Sequence, residues 1–302
     1  MTNAFAVISA LLTTEIVREN EPMSKHTSFK IGGPAEVFVT PHDTCQLKTV
    51  WKTCQENGYP ITILGGGNNV LVSDNGIKGV VVVTHKMNKI NINEDIINVG
   101  SGTKLYALAE TAQKAGLSGL EFAHGIPGTV GGAVYMNAGA YNQEVKDICE
   151  SVTVMLPTGE LVTHNKDNLD LGYRKSRFQK ETAIIVEVQF LLKYEIQHNI
   201  KIKMDELMAK RRISQPLDKK SAGSTFKRPA TPGYYASKMI DECGLKGFLI
   251  GGAQVSEKHA GFVINTGNAT AADVLALMEA VQKRVHTATG IWLEPEVQMI
   301  GF

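Results

Sequence analysis

Apolar positions along this chain follow two periods, one helical and one of alternating strand type. Over Thr44–Asn57, Leu47, Val50, Trp51 and Cys54 recur every three or four residues, the stripe of an amphipathic helix. Asp43 or Thr44 can cap its start, and Gly58 stops it. Similar spacing predicts helices over residues 104–115, 199–212 and 234–243, and a long one opened by Thr270. Asp273 completes a capping pair with Thr270, Val274, Leu277, Val281 and Val285 form the buried stripe, and Gly290 ends it. Near the start, Phe5, Ile8, Leu11, Leu12 and Ile16 predict one more helical face. Strands are predicted over 35–39, Ile61–Leu64, 70–73, 80–84, 96–99, 152–156, 160–163, 183–192, 254–255, 261–264 and 291–300. The stretch 80–84 is apolar throughout, as in a strand buried on both faces. Strands and helices mix without strict alternation, so the expected class is α+β.

Length and charge narrow this picture. A chain of 302 residues, 43% hydrophobic and 20% charged, has material for real cores in two or three domains. The edges predicted are 1–85, 86–196 and 197–302, with residues 199–212 as the linking helix. Thirty-one basic residues against thirty acidic ones give no field that would draw nucleic acid or an anionic membrane. Cys45, Cys54, Cys149 and Cys243 form no C-x-x-C and have no His at ligand spacing. That argues against a metal site or a disulfide framework and for a reducing compartment. No apolar stretch is long enough to span a membrane, and the first basic residue is Arg18, unlike the start of a signal peptide. The expectation is a cytoplasmic protein whose partners are small molecules rather than nucleic acid or membrane.

Twenty-nine glycines are the compositional oddity, and they cluster. Leu64-Gly65-Gly66-Gly67-Asn68-Asn69 follows a predicted strand. Gly125-Ile126-Pro127-Gly128-Thr129-Val130-Gly131-Gly132-Ala133 lies in a longer glycine-rich segment. Glycine lets the main chain turn through positive φ and approach a ligand, so successive N–H groups can converge on a diphosphate. Neither cluster is a P-loop, since no Gly-Lys-Ser/Thr follows. Gly100-Ser101-Gly102 joins a strand to a helix, but Leu105 stands where a dinucleotide turn needs its third glycine, so it reads as a tight turn. Two long clusters together favour a nucleotide cofactor without saying which.

Several motifs are more particular. Gly125 to Ala133 is followed by Met136-Asn137-Ala138-Gly139-Ala140-Tyr141. Later come Tyr173-Arg174-Lys175-Ser176-Arg177-Phe178, Ser221-Ala222-Gly223-Ser224-Thr225-Phe226-Lys227 and Leu293-Glu294-Pro295-Glu296-Val297. The first glycine cluster with Asp74 resembles the adenine-dinucleotide segment of flavoproteins related to vanillyl-alcohol oxidase. All of these, in order, resemble the family of UDP-N-acetylenolpyruvoylglucosamine reductases from about His26 to Gly301. The resemblance implies an FAD-binding PCMH-type module of two subdomains plus a C-terminal α+β substrate-binding domain. The short C-terminal region resembles the subtype without an inserted loop. It also implies non-covalent FAD, NADPH as hydride donor and a UDP-sugar substrate; a monomer is expected, though no motif speaks to it. Cofactor contacts carry over to Leu64, Gly65, Gly66, Gly67, Asn68, Asn69, Gly125, Ile126, Pro127, Gly128, Thr129, Gly131, Gly132, Ala133, Asn137, Gly139 and Ala140. Substrate contacts carry over to Tyr173, Lys227 and Arg228.

The implied chemistry asks for three side chains. Hydride adds to the terminal carbon of an enol ether conjugated to a carboxylate, so charge grows on the adjacent carbon and a proton must arrive there. The resemblance gives proton donation to Ser224 and stabilisation of carboxylate and intermediate to Arg174 and Glu296. Without it, Ser224 would read as turn chemistry and Arg174 as a surface ion pair. Glu294 and Glu296 share one face of the predicted strand. The motif favours Glu296, either protonated or orienting another group, with Glu294 the fallback. His124 and His259 read as structural, with no carboxylate partner visible. Lys210, Arg211, Arg212, Lys219 and Lys220 read mostly as a solvated basic run. Arg228 and Gly261 stand where many relatives carry Asn, which touches substrate contacts rather than the reaction. Two rivals remain: an oxidase on the same scaffold, and a non-catalytic module that binds FAD or a UDP-sugar.

Overall fold

The structure, a computed structural model, describes residues 4–13 and 15–302. The chain packs as two compact units, Met1–Glu19 with Glu36–Gly66 and Gly79–Arg211, and Asn20–Ala35 with Gly67–Lys78 and Arg212–Phe302. Each unit draws on three separate stretches, whereas the sequence-based division places each domain on one continuous stretch.

The first unit holds two cores. In one, helix α1 (Ala4–Leu11) and helix α2 (Thr44–Asn57) share a core with Val80 and Val82 of the strand Ile77–Val83. That strand pairs in parallel with Ile61–Leu64, Ile61 opposite Val80 and Leu64 opposite Val83. Val80, Val81 and Val82 are wholly buried, as the unbroken apolar run predicts. Helix α2 is capped as its sequence suggests: Asp43 accepts from the Gln46 N–H at 2.9 Å, and Gly58 closes it at φ +67°. The α1 face is a correction. The helix ends at Leu11, which is 56% exposed, and Ile16 is buried outside it.

The other core lies on a five-stranded antiparallel sheet in the order Leu161–Asn165, Cys149–Met155, Ile184–Leu191, Ile96–Gly100, Ile90–Asn93. Helix α3 (Leu105–Lys114), the single-turn helix α4 (Val130–Tyr135) and the start of helix α5 (Gln197–Ser214) cover it, with Leu108, Val134 and Met204 in the core. Burial pushes the Cys54 thiol up to about 11 and the Cys149 thiol up to about 12, which keeps both protonated and inert.

The second unit contains a four-stranded antiparallel sheet in the order Lys220–Ser224, Phe262–Asn265, Ala253–Val255, Leu249–Ile250. Helix α6 (Ala236–Glu242) and helix α7 (Ala271–Thr289) contribute to its core through Met239, Ile240, Val274, Leu277, Val281 and Val285. Thr270 and Asp273 form the predicted reciprocal cap at 3.1 and 3.0 Å, and Gly290 ends α7 at φ +74°. The N–H groups of Thr270 and Gly252 hold the Asp273 carboxyl below its ordinary range. The predicted strand 291–300 is shorter than expected: only Gln298–Ile300 forms a ladder, in parallel with Val70–Val72. Pro295 has no N–H to give a ladder, and the chain before it is tied by single bonds, Lys227 N–H to Glu294 O at 2.9 Å and Glu296 N–H to Thr225 O at 2.8 Å.

Candidate active site

The glycine clusters are shaped by close approaches. In the first unit, a Cβ on Gly65 would lie 2.2 Å from Thr129 Oγ1, so Gly65 must be glycine for the two clusters to meet. The unit boundary falls after Gly66. In the second unit, Gly67 has φ +64° and a Cβ there would lie 2.1 Å from the His26 carbonyl oxygen. Asn69 spends its side chain on the protein, donating from Nδ2 to Glu296 O at 3.1 Å. Asp74 caps α7, accepting from the N–H groups of Ala271 and Ala272 at 2.8 and 3.1 Å.

The Gly100-Ser101-Gly102 turn belongs to this cradle after all. Its chain is laced to the second cluster: Leu105 N–H donates to Gly128 O at 3.0 Å, Val130 N–H to Thr103 O at 2.9 Å and Gly131 N–H to Ser101 O at 2.8 Å. It is no dinucleotide turn, because Gly100 and Gly102 are glycine for packing. A Cβ on them would lie 2.4 Å from Met87 O and 1.8 Å from Thr84 O.

Around this seam, Ser101 Oγ, Thr103 Oγ1, Thr129 Oγ1, His124 Nδ1 and Arg211 Nε are buried polar atoms without a protein partner. Each such atom costs about 1–3 kcal/mol if left unpaired, so their concentration marks a surface lined for a polar ligand. The Arg211 chain lies directly over Gly125, where a Cβ would come within 2.9 Å of its Cδ. Burial lowers the Arg211 pKa from its ordinary value, yet a guanidinium stays charged, so a cation is held at the cradle. Hydroxyls, glycines and one half-buried cation fit the diphosphate of FAD. Ser101, Thr103 and Arg211 were missed by motif reading. The glycines flanking Ser101 and the position of Arg211 in the basic run were the available signals.

Not every expected cofactor contact is free to make one. Gly139 and Ala140 pair with Gln143 and Glu144 in a short hairpin, and a Cβ on Gly139 would lie 2.6 Å from Gln143 O. Asn137 is wholly buried, and both its amide donors are taken, by Gly172 O at 2.8 Å and Glu144 Oε2 at 3.0 Å. Gly128 reaches φ +131°, Thr129 and Ala133 are buried, and Pro127 and Gly132 are exposed. In the same unit, Arg174 is half-buried with its guanidinium 5.1 Å from the centre of the Tyr173 ring, which is 45% exposed. His124 does have a carboxylate within reach, Glu110 at 3.8 Å.

The second unit carries Ser224 and Glu296 and ties them together. Ser221 pairs with Ile264 and Ser224 with Phe262, so the strand Lys220–Ser224 holds one extra residue, a β-bulge. Gly223 supplies it at φ +79°, a conformation that leaves the Ser224 side chain exposed. The next residue, Thr225, anchors the bulge: its N–H donates to Gly261 O at 2.8 Å, its hydroxyl accepts from Val263 N–H at 3.0 Å and its carbonyl accepts from Glu296 N–H at 2.8 Å. Glu296 is buried, whereas Glu294 is exposed and paired with Lys227 at 3.3 Å. The two glutamates therefore have different surroundings, which the even spacing conceals. Arg228 lies over the Tyr235 ring at 5.1 Å. His259 packs edge-on to Phe262, its Nδ1 accepts from Gly261 N–H at 3.1 Å, and burial lowers its pKa.

Comparison with known proteins converges with this geometry. Residues 35–165 match the FAD binding domain family and residues 215–300 match the family described as UDP-N-acetylenolpyruvoylglucosamine reductase, C-terminal domain. A UDP-N-acetylenolpyruvoylglucosamine reductase of Clostridium novyi is 47% identical over 97% of this chain and 95% of its own. The crystal structure of UDP-N-acetylenolpyruvylglucosamine reductase from Thermus caldophilus superimposes with a TM-score of 0.81 at 36% identity, covering 92% of this chain and 97% of that one. The 4-ethylphenol oxidase of Gulosibacter chungangensis, with a TM-score of 0.50 at 19% identity over 64% of this chain and 42% of its own, shares the fold alone. At such identity over nearly its whole length, the chain belongs to the UDP-N-acetylenolpyruvoylglucosamine reductase family.

Proposed function

We propose that this chain reduces UDP-N-acetylglucosamine enolpyruvate to UDP-N-acetylmuramate, the step that supplies the lactyl ether of a peptidoglycan precursor. The observation that carries the reading is the joined pair in the second unit, Ser224 set out on a glycine bulge and Glu296 fastened to the next residue. Near-balanced charge supports a small-molecule enzyme, and no described helix is long and apolar enough to cross a membrane. The reading is of a cytoplasmic monomer.

Bound FAD would supply the hydride relay between NADPH and the enolpyruvyl double bond. Gly65, Gly66, Gly67, Asn68, Gly128, Thr129, Gly131 and Gly132 would hold it, with Ser101, Thr103 and Arg211 added from the structure. Atoms balance simply: the terminal carbon gains hydride and becomes a methyl group, the adjacent carbon gains a proton, and NADPH ends as NADP+. Ser224 gives that proton from Oγ. Serine is a weak acid, so the step requires neighbours that stabilise the alkoxide and keep water out. Arg174 grips the substrate carboxylate with two parallel bonds and meets the charge spreading into it. Glu296 serves that charge either as a carboxylic acid or by orienting another group, since a bare carboxylate facing it would repel it. Tyr173, Lys227 and Arg228 contribute to holding the UDP-sugar.

The test is steady-state NADPH consumption by the FAD-loaded protein. Oxidation that starts on adding the enolpyruvyl substrate, with one UDP-N-acetylmuramate per NADPH, is expected. NADPH oxidation indifferent to that substrate would reject the reading and favour the oxidase or the binding module.

A further inference from the structure

Arg174 stands at an uncomfortable place in the chain. Residues 172–175 form a tight turn, with Lys175 N–H donating to Gly172 O at 3.1 Å and Gly172 N–H to Lys175 O at 3.0 Å. Arg174 is its third residue, at φ +52°, where turns of this kind ask for glycine or asparagine. A bulky residue keeps such a conformation only where its surroundings over-determine it.

Those surroundings are the strip 135–137. Asn137, itself at φ +41° and wholly buried, donates from Nδ2 to Gly172 O at 2.8 Å, at the start of the turn. Its second amide hydrogen goes to Glu144 Oε2 at 3.0 Å, and its Oδ1 accepts from Lys146 N–H at 3.0 Å. Its own carbonyl oxygen lies 3.5 Å from Arg174 Nη1. Gln179 closes the frame from the other side, donating from Nε2 to Arg174 O at 3.0 Å and to Tyr135 O at 2.9 Å. Ser176 Oγ also donates to Tyr135 O at 2.7 Å. The turn, the Arg174 main chain and the guanidinium are thus referred to one buried asparagine and one amide clamp.

We infer that Asn137, assisted by Gln179, is a positioning residue that holds Arg174 at the angle at which it meets the substrate carboxylate. Both donors of the Asn137 amide are consumed by the protein, so its side chain has no donor left for the cofactor and acts through Arg174. The inference rests on the reading of Arg174 as the carboxylate-gripping residue, and the test separates the two.

The variants are Asn137→Gly, Arg174→Gly and the double variant, since glycine accepts the positive φ at both sites. Each is loaded with FAD, bleached anaerobically with NADPH and mixed with UDP-N-acetylglucosamine enolpyruvate. Asn137→Gly should slow return of the oxidised spectrum about 10- to 100-fold, the scale of a misplaced catalytic group. It should leave FAD retention and NADPH bleaching near wild type. Added to Arg174→Gly, it should slow reoxidation by less than about twofold, because the two side chains act as one unit. A merely structural role would slow both backgrounds alike and overturn the proposal. Slow Arg174→Gly beside fast Asn137→Gly would overturn it while leaving the role of Arg174 intact. Wild-type reoxidation in Arg174→Gly would remove both. If Asn137→Gly does not fold, Gln179→Met, at an exposed side chain, carries the same test. Slowing in the wild-type background alone supports the proposal, and slowing in neither or both overturns it.

Discussion

Replacing Ser224 by alanine is expected to leave bleaching of the flavin by NADPH close to wild type while slowing its reoxidation by substrate about 10²- to 10⁴-fold, the usual worth of a general acid. The asymmetry follows from when the hydroxyl is needed. No proton moves to carbon while NADPH delivers hydride, whereas the second half-reaction ends with a proton on the adjacent carbon. The change should cost little stability, within about 0.5 kcal/mol, because Ser224 is exposed and the bulge is held by Gly223 and Thr225 rather than by the hydroxyl. Stopped-flow traces of the two half-reactions, with a thermal melt, read all three quantities. Equal slowing of both halves would count against Ser224 as proton donor and would point to disturbed cofactor binding.

Arg174→Gly should separate stability from catalysis. Glycine relieves a left-handed conformation worth roughly 1–2 kcal/mol. It loses about 0.5–1 kcal/mol to the greater entropy of the unfolded chain and a similar amount of contact with the Tyr173 ring. These offset one another, so the variant should melt within a few degrees of wild type. Turnover should not survive as well: hydrogen bonds to a charged group are worth about 1.5–3 kcal/mol each, and losing a two-bond grip predicts a drop of about 10²- to 10³-fold or more in kcat/KM. A variant that melts normally and still turns over would show that Arg174 is there for the turn rather than the substrate.

Legibility in the sequence tracked how local each constraint was. Helices α2 and α7 are read almost to the residue because Asp43, Gly58, Thr270, Asp273 and Gly290 act within one turn of the ends they mark. The strand Lys220–Ser224 was not legible: Lys-Ser-Ala-Gly-Ser has no β-branched or aromatic residue, and it is a strand only through pairing with Phe262–Asn265. Val17–Pro22 escapes a sequence reading on related grounds: Val17 is its one residue that favours a strand, and Arg-Glu-Asn-Glu-Pro follows, with Asn20 at φ +51°. The last strand was over-read because Pro295 interrupts an otherwise regular alternation.

The candidate site divides the same way. Glycine clusters are visible because positive φ and close approach restrict a position to one residue type. The buried hydroxyls of Ser101 and Thr103 are not, since serine and threonine look ordinary and their placement depends on lacing between residues some thirty apart. Glu294 and Glu296 are equivalent by period and distinct only by burial. Asn137 reads as part of a cofactor loop in the sequence because Ala138, Gly139 and Ala140 follow it. Its partners, Gly172 and Arg174, lie more than thirty residues on.

The central claim is that this chain passes reducing equivalents from NADPH through FAD to an enolpyruvyl ether. Anaerobic double-mixing stopped flow of the FAD-loaded wild-type protein tests it most directly. NADPH should bleach the flavin, and UDP-N-acetylglucosamine enolpyruvate should then restore the oxidised spectrum rapidly, with one UDP-N-acetylmuramate formed per flavin reoxidised. Bleaching that this substrate does not reverse, but that oxygen does, would contradict the account and make the protein an oxidase built on the same scaffold.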